Sequence, residues 1–446
     1  MKKNRHFSTA QIIVLGFLGV IIAGSILLML PIATKNGTGA SLLEALFTSV
    51  SSVCVTGLIV QDTATYWSTF GQAVILVLIQ IGGMGVVTIA VSIAMFSGKK
   101  IGLMQRSTMQ EAISAPNMRG IVRLTNFILK ITFSTEIIAA IVMAPVFCKE
   151  FGLWKGCWYA LFHSVSAFCN AGFDLMGVNA PFSSLSQFQG NSIINITVIF
   201  LIIWGGIGFL TWEDIWNNKW HFRKYRMQTK VILLTTTILI AIPVLYFYFV
   251  EFSGTSWEGM SSAERFWSSI FQAVTPRTAG FNTVDLQKLS GTGKVMTIIL
   301  MLIGGSPGST AGGMKTTTIA ILIASSISVF RRNEEVHYFK RRIDIETERT
   351  AAAVFMMYVF LFLLGGLVIS SIEHIPVMFC LFETASAIGT VGLTLGITTQ
   401  LCVVSKLILI CLMYFGRVGG LTLIFAATSN QRSCVSKYPK EKITVG

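Results

Sequence analysis

Four stretches of the chain repeat one pattern, and that pattern limits what the chain can fold into. They run over 47–57, 162–172, 271–280 and 382–392. Each begins with Phe (Phe47, Phe162, Phe271, Phe382), carries Ser or Thr four residues on (Ser51, Ser166, Thr275, Ser386) and ends on Gly (Gly57, Gly172, Gly280, Gly392). The glycines recur at intervals of about 110 residues, so four units take up nearly the whole chain and the repeat is the architecture.

Hydrophobic residues make up 53 % of the chain and charged residues 12 %. A soluble domain carries roughly twice that charge, so the chain reads as an all-α polytopic membrane protein. Apolar spans fall at 11–31 and 69–97, 121–147 and 190–217, 228–252 and 293–330, and 350–372 and 404–428. Each pair brackets one Phe-to-Gly stretch, which is too short to cross a bilayer and reads as re-entrant. The expected architecture is four helix–pore-loop–helix repeats, over 1–100, 101–220, 221–335 and 336–446, with eight spans and four re-entrant segments around one pore. The last repeat includes a C-terminal tail. The run from Ile12 to Pro31 is long for a cleavable signal and reads as an uncleaved first span.

The net charge is +14, but lysine and arginine cluster at 2–5, 99–123, 219–230, 331–349 and 432–442, on one side of the predicted topology. That is the positive-inside bias, which places both termini in the cytoplasm and opens the four re-entrant stretches outward. It argues against nucleic acid as a partner. No soluble segment is long enough to fold as a nucleotide-binding domain. The eight cysteines form no metal-ligand spacing, so no metal site is read. Cys148 and Cys157 flank one outer loop and could pair.

Irregular backbone at membrane depth is tolerated only where it is buried in protein or lines water. Four such segments around a centre would aim carbonyl oxygens at one axis, the arrangement that replaces the hydration shell of potassium. The expected ligands are the backbone carbonyls of Val55, Thr56 and Gly57; Asn170, Ala171 and Gly172; Thr278, Ala279 and Gly280; and Thr390, Val391 and Gly392. Thr390-Val391-Gly392 is the best formed, and the other three are looser. A single glycine of this kind is as well explained by helix packing. The shared position after a Phe-initiated segment favours the pore.

The second helix of each unit carries a glycine cluster, at 82–85, 205–208, 304–313 and 416–420. The first two are most simply close packing or a bend. The third, with Gly304, Gly305, Ser306, Pro307, Gly308, Ser309, Thr310, Gly312 and Gly313, cannot stay helical and should break inside the membrane, facing the aqueous path. A phosphate-binding loop fails there, because Met314 separates Gly313 from Lys315 and no βαβ pattern flanks it. Arg417 lies mid-way along the last span, where a charge marks a functional site by default; the alternative is a side chain snorkelling to the cytoplasmic edge or paired structurally. For Lys315, nearer the inner edge, snorkelling is at least as good a reading. Arg277 is expected behind the pore lining, bracing the loop toward a carboxylate such as Glu383. Asp62, Asp174 and Asp285 could draw cations or cap outer turns. Lys130 and Glu136 share no helical face and receive no role.

These residues resemble the ion-translocating subunit of the Trk/Ktr/HKT superfamily of potassium transporters. The likeness spans Phe7 to the C-terminus and rests on Ser51–Leu58, Phe168–Phe173, Thr275–Phe281 and Ala387–Leu393. It is nearest the bacterial Ktr type. The resemblance implies a potassium-preferring pore in the plasma membrane, since Gly57 stands where a serine accompanies sodium transport in the plant branch. It also implies that 304–313 is a gate obstructing the pore, with Arg417 an electrostatic barrier beside it. It implies no cofactor, with potassium as substrate. The implied partners are a second copy and a cytosolic nucleotide-binding ring of the RCK type beneath it. A sodium-permeable or sodium-coupled carrier of the same fold is the alternative. A membrane enzyme would need a catalytic cluster within the spans, and only His163 and Glu136 come near.

Overall fold

A computed structural model describes residues 8–96, 102–113, 120–333 and 335–427. The basic residues Lys2, Lys3, Arg5, Lys99, Lys100, Arg119, Arg432, Lys437, Lys440 and Lys442 lie outside the described residues, as does Cys434.

The chain builds one set of helices four times. The first holds α1 (Thr9–Leu28), α2 (Leu42–Val53), α3 (Thr69–Met84) and α4 (Val86–Phe96), followed by α5 (Leu103–Ile113). The second holds α6 (Ile121–Phe151), α7 (Leu153–Phe168), α8 (Ser192–Gly206) and α9 (Phe209–Asn218). The third holds α10 (Met227–Tyr246), α11 (Ser262–Val274), α12 (Gly291–Leu302) and α13 (Thr316–Phe330). The fourth holds α14 (Ile345–Glu373), α15 (Val377–Gly389), α16 (Val403–Val418) and α17 (Gly420–Ala427). A hairpin of β1 (His337–Tyr338) and β2 (Arg341–Arg342) separates the last two sets.

Local chemistry sets the helix starts. Ser41 with Glu44, and Ser261 with Glu264, form reciprocal capping boxes that open the short helices α2 and α11. Ser68, Asn191 and Ser290 cap α3, α8 and α12 through side-chain oxygens. The four phenylalanines that begin the repeated stretches lie inside the short helices and are 0–1 % exposed. They are the apolar anchors of those helices. The stretches therefore begin as helix and end in non-helical chain.

The second apolar span of every set is interrupted, between α3 and α4, α8 and α9, α12 and α13, and α16 and α17. The expected spans 69–97, 190–217 and 404–428 break at Gly85, Gly208 and Gly419, with φ of 85°, 95° and 86°. The breaks bend the first two pairs by 100° and 97°. In the third set the break opens into a loop over 303–315. Among the described residues four helices are long and apolar enough to cross a membrane, and counting each bent pair as one span gives up to six. The shortfall from eight has a local cause: α12 has 12 residues and α16 has 16, because the loop and Gly419 cut them off.

The glycine clusters also permit close packing. A Cβ on Gly82 would stand 2.8 Å from the Val53 carbonyl carbon and 3.0 Å from its Cα. Gly82→Val is expected to destabilise the protein by about 1–3 kcal/mol through overpacking. A thermal melt of the purified variant checks this, and an unchanged Tm would exclude the close approach.

Candidate ion pathway: a ring of glycines and the loop packed against it

The four short helices deliver their C-terminal ends to one place. Just past each end the chain turns into left-handed backbone, at Val55 (φ 57°), Asn170 (59°), Thr278 (66°) and Thr390 (51°). Three of these residues are β-branched, for which such a φ is an outlier. Two residues later the glycines return to positive φ, at 87°, 68°, 81° and 94°. The residue between keeps the ordinary sign. The sign of φ thus alternates along each of the four segments. Each left-handed non-glycine residue costs about 1–2 kcal/mol, so all four persist only because the surroundings impose them.

The glycines close a ring in chain order. A Cβ on Gly57 would stand 3.2 Å from the Gly172 Cα, one on Gly172 3.0 Å from the Gly280 Cα, one on Gly280 3.2 Å from the Gly392 Cα, and one on Gly392 2.9 Å from the Gly57 Cα. Each would also strike the carbonyl oxygen of the residue before the next glycine: Ala171, Ala279, Val391 and Thr56 in turn. The twelve residues expected as ligands thus come together as four adjacent strands. All are buried, with their side chains packed away into protein. Helix C-termini carry partial negative charge, so four of them directed at one ring favour a cation there.

The hydroxyls shared by the four stretches brace this ring, a role that sequence reasoning left unassigned. Ser51 Oγ accepts from the Gly57 N–H at 3.1 Å, and Ser386 Oγ accepts from the Gly392 N–H at 2.9 Å. Ser166 Oγ and Thr275 Oγ1 donate instead to the carbonyls of Phe173 and Phe281, both at 2.7 Å. The fixed spacing of hydroxyl and glycine was the available signal.

The loop 303–315 leaves the helical path and ties three sets together. Ser306 N–H donates to the Gly206 carbonyl at 2.9 Å, and Thr310 N–H to that of Gly205 at 3.3 Å. Gly313 N–H donates to the Gly416 carbonyl at 3.1 Å, and Phe209 N–H to that of Gly308 at 2.7 Å. Gly304 pairs with Met314 and Gly305 with Thr316, which closes the base of the loop. Thr310 Oγ1 reaches the Phe168 carbonyl and Asn170 Oδ1, both at 3.2 Å. A side chain on Gly312 would meet Thr390. The loop therefore packs against two of the four ring strands.

Arg417 is half-buried, and its side chain is held within the protein by backbone carbonyls. Its guanidinium donates to the carbonyls of Thr310, Gly82 and Gly83, the last at 3.1 Å. One cation thus joins the loop to the broken end of α3. Lys315 is half-buried and donates to the carbonyls of Ala311 and Gly312 in its own loop at 2.8 and 3.4 Å. A cavity of 440 Å³ opens beside the loop, lined by residues that include Gly83, Pro307, Ser309, Lys315, Tyr358 and Arg417.

Other expectations need correction. Arg277 is buried, but it donates to Thr236 Oγ1 on α10 at 3.4 Å, and the Glu383 carboxylate is engaged by Thr394 and Thr398. The two belong to different clusters, because Arg277 projects toward the long helix of its own set. Asp62, Asp174 and Asp285 cap backbone N–H groups of Ala64, Met176 and Gln287 at 3.0, 2.9 and 3.0 Å, so the turn-capping reading holds. Glu136 accepts from Gln80 Nε2 at 3.0 Å, beside Cys169, a contact made between α3 and α6 that no single helical face reveals. The Cys148 and Cys157 sulfurs lie 3.7 Å apart as free thiols. Among the described residues no group of His, Cys, Asp and Glu is arranged to hold a metal ion.

Comparison with known proteins agrees with this architecture. Residues 4–437 match the family described as TrkH, cation transport protein. The potassium/sodium uptake protein NtpJ of Enterococcus hirae is 38 % identical, over 100 % of this chain and 99 % of its own length. The Ktr system potassium uptake protein B of Bacillus subtilis is 39 % identical, over 99 % of this chain and 97 % of its own. The crystal structure of the potassium transporter TrkH from Vibrio parahaemolyticus superposes with a TM-score of 0.72 at 21 % identity, covering 96 % of this chain and 86 % of that one, and so shares the fold. A match along almost the entire chain, with the same fold, makes this protein a member of the TrkH cation transport family.

Proposed function

We propose that this protein takes up potassium across the plasma membrane through the ring of carbonyls set by Gly57, Gly172, Gly280 and Gly392. The observation that carries this reading is the closed ring, with its alternating backbone handedness. It supports strands that offer carbonyls to a dehydrated cation without any charged side chain. The names of the Enterococcus and Bacillus relatives agree on potassium.

In this reading each interrupted second span counts as one of eight, the short helices with their glycine ends are four re-entrant segments, and the repeats run over 1–100, 101–220, 221–335 and 336–446. The loop 304–313 is the gate, held by Arg417. Both termini lie in the cytoplasm, because the basic residues gather on the side of the gate. The name Ktr system, carried by the Bacillus relative, supports a separate regulatory subunit. We take it to be a cytosolic nucleotide-binding ring beneath a dimer of this chain, docking on the basic loops around β1 and β2. A sodium-permeable pore is the second reading, favoured by the name potassium/sodium uptake protein of the Enterococcus relative.

Gly57→Ser tests the two. Serine at φ 87° would push its side chain onto Ala171 and Gly172 of the next strand. Rescue of a potassium-uptake-deficient bacterium at limiting potassium, with and without added sodium, is the measurement. Wild type should grow in both, and the variant should lose potassium-over-sodium discrimination by about tenfold, equivalent to ~1.4 kcal/mol. Equal discrimination in the two would sink the ring as the selective element.

A further inference from the structure

The residue after each anchor phenylalanine is polar and buried: Thr48, His163, Gln272 and Glu383. Two of these side chains reach the chain just beyond a ring glycine. Glu383 Oε1 accepts from Thr394 Oγ1, two residues past Gly392, and from Thr398 Oγ1 at 3.0 Å. The Thr394 hydroxyl in turn accepts from the Gly396 N–H at 2.9 Å. His163 Nδ1 lies 2.7 Å from the Tyr159 carbonyl, which assigns the ring proton to Nδ1. Its Nε2 is then free to accept from the Leu175 N–H, three residues past Gly172, at 3.4 Å. Phe147 stacks on this imidazole with centroids 5.2 Å apart and fixes its plane. Gln272 points elsewhere, to Thr297 on α12 at 3.4 Å.

The ring order places the strands of Gly172 and Gly392 opposite each other, since each touches Gly57 and Gly280. Glu383 and His163 therefore grip the exits of two diagonal strands from behind. Glu383 is the stronger case, because it is fully buried and its second oxygen, Oε2, has no hydrogen-bond partner. A buried carboxylate with one oxygen unsatisfied costs stability. Packing does not require it, for a leucine fills similar volume.

We propose that Glu383 and His163 are positioning residues that set the width of the ring by anchoring the chain just past Gly392 and Gly172, and so decide discrimination between potassium and the smaller sodium ion. This rests on the reading of the ring as the selective pore. Neither residue touches the ion; each acts through the backbone that follows its glycine.

The test is potassium uptake with sodium as competitor, in deficient cells carrying the full chain, normalised to membrane abundance. Glu383→Ala is expected to lose potassium-over-sodium discrimination about tenfold, the size of one hydrogen bond to a charged group. Glu383→Gln should stay near wild type, because the amide oxygen accepts from the same two hydroxyls. Discrimination unchanged in Glu383→Ala, or lost equally in Glu383→Gln, overturns the proposal. If Glu383→Ala does not reach the membrane, Thr394→Val breaks the same contact from the other side and is read by the same criteria. His163→Leu should shift discrimination in the same direction, and no shift there overturns the diagonal form. Gly57→Ser is the control. A shift in Gly57→Ser with none in Glu383→Ala or Thr394→Val removes this inference alone, whereas no shift in Gly57→Ser removes the ring reading beneath it.

Discussion

Arg417→Gln is expected to raise the maximal rate of potassium uptake by about tenfold, the lower end of what a fixed charge does to ion traffic in a narrow cleft. Two effects act together. In the proposed gate, the half-buried guanidinium is a positive charge beside the loop that opposes a cation passing there. It also latches the loop, since the carbonyls of Thr310, Gly82 and Gly83 all accept from it. Each charge-assisted bond contributes about 1.5–3 kcal/mol, and glutamine, a neutral amide with two N–H donors, cannot restore all three. Arg417→Lys separates the effects. Lysine keeps the charge but lacks the planar fork that spans several carbonyls. If charge is the barrier, the lysine variant stays near wild type; if the latch is, it behaves like glutamine. Initial rates of uptake at saturating potassium, corrected for membrane abundance, decide it. Unaltered rates in both variants would remove Arg417 from the gate.

Gly392→Ala is expected to reduce potassium uptake by about a hundredfold, which corresponds to ~2.7 kcal/mol. The residue sits at φ 94°, where an alanine is strained by about 1–3 kcal/mol. Its added methyl would lie 2.9 Å from the Gly57 Cα and closer still to the Thr56 carbonyl. One methyl thus disturbs two adjacent strands of the ring. The carbonyl it displaces belongs to a different unit, 336 positions earlier by residue number (392 minus 56), so the defect spreads from the fourth set to the first. Uptake near the wild-type rate would mean that the four glycines do not line the path.

Much of this was legible in the sequence because the responsible residues are close together in it. Phe382 and Gly392 fall within three turns' length of chain, so the short helix and the left-handed glycine that ends it are local consequences of local spacing, whereas the Ser386 brace was recognised only in the structure. The break at 303–315 was legible for the same reason: five glycines and Pro307 cannot hold a helix. The breaks at Gly85, Gly208 and Gly419 were less so. A single glycine in an apolar run is compatible with a straight helix, and the close approach of backbone carbonyls to Gly82, Gly205 and Gly416 beside these breaks is visible only in the structure.

What failed were statements about side chains that meet across units. Arg277 and Glu383 are both buried near the ring, and complementary charge made them plausible partners. The structure gives Glu383 two threonines from the chain that follows Gly392 and turns Arg277 toward Thr236. Glu136 carried no visible role until Gln80 was brought to it from another set.

By itself, then, the sequence determined the fourfold plan, the apolar character, the glycines that end each stretch and the site of the broken helix, since periodicity and backbone preference are properties of neighbouring residues. Only the tertiary structure decided that the glycines close into one ring, that the loop rests on the strands of Asn170 and Thr390, and that Arg417 joins it to α3. Those contacts link residues hundreds of positions apart. They depend on how four sets of helices pack, which no local pattern encodes.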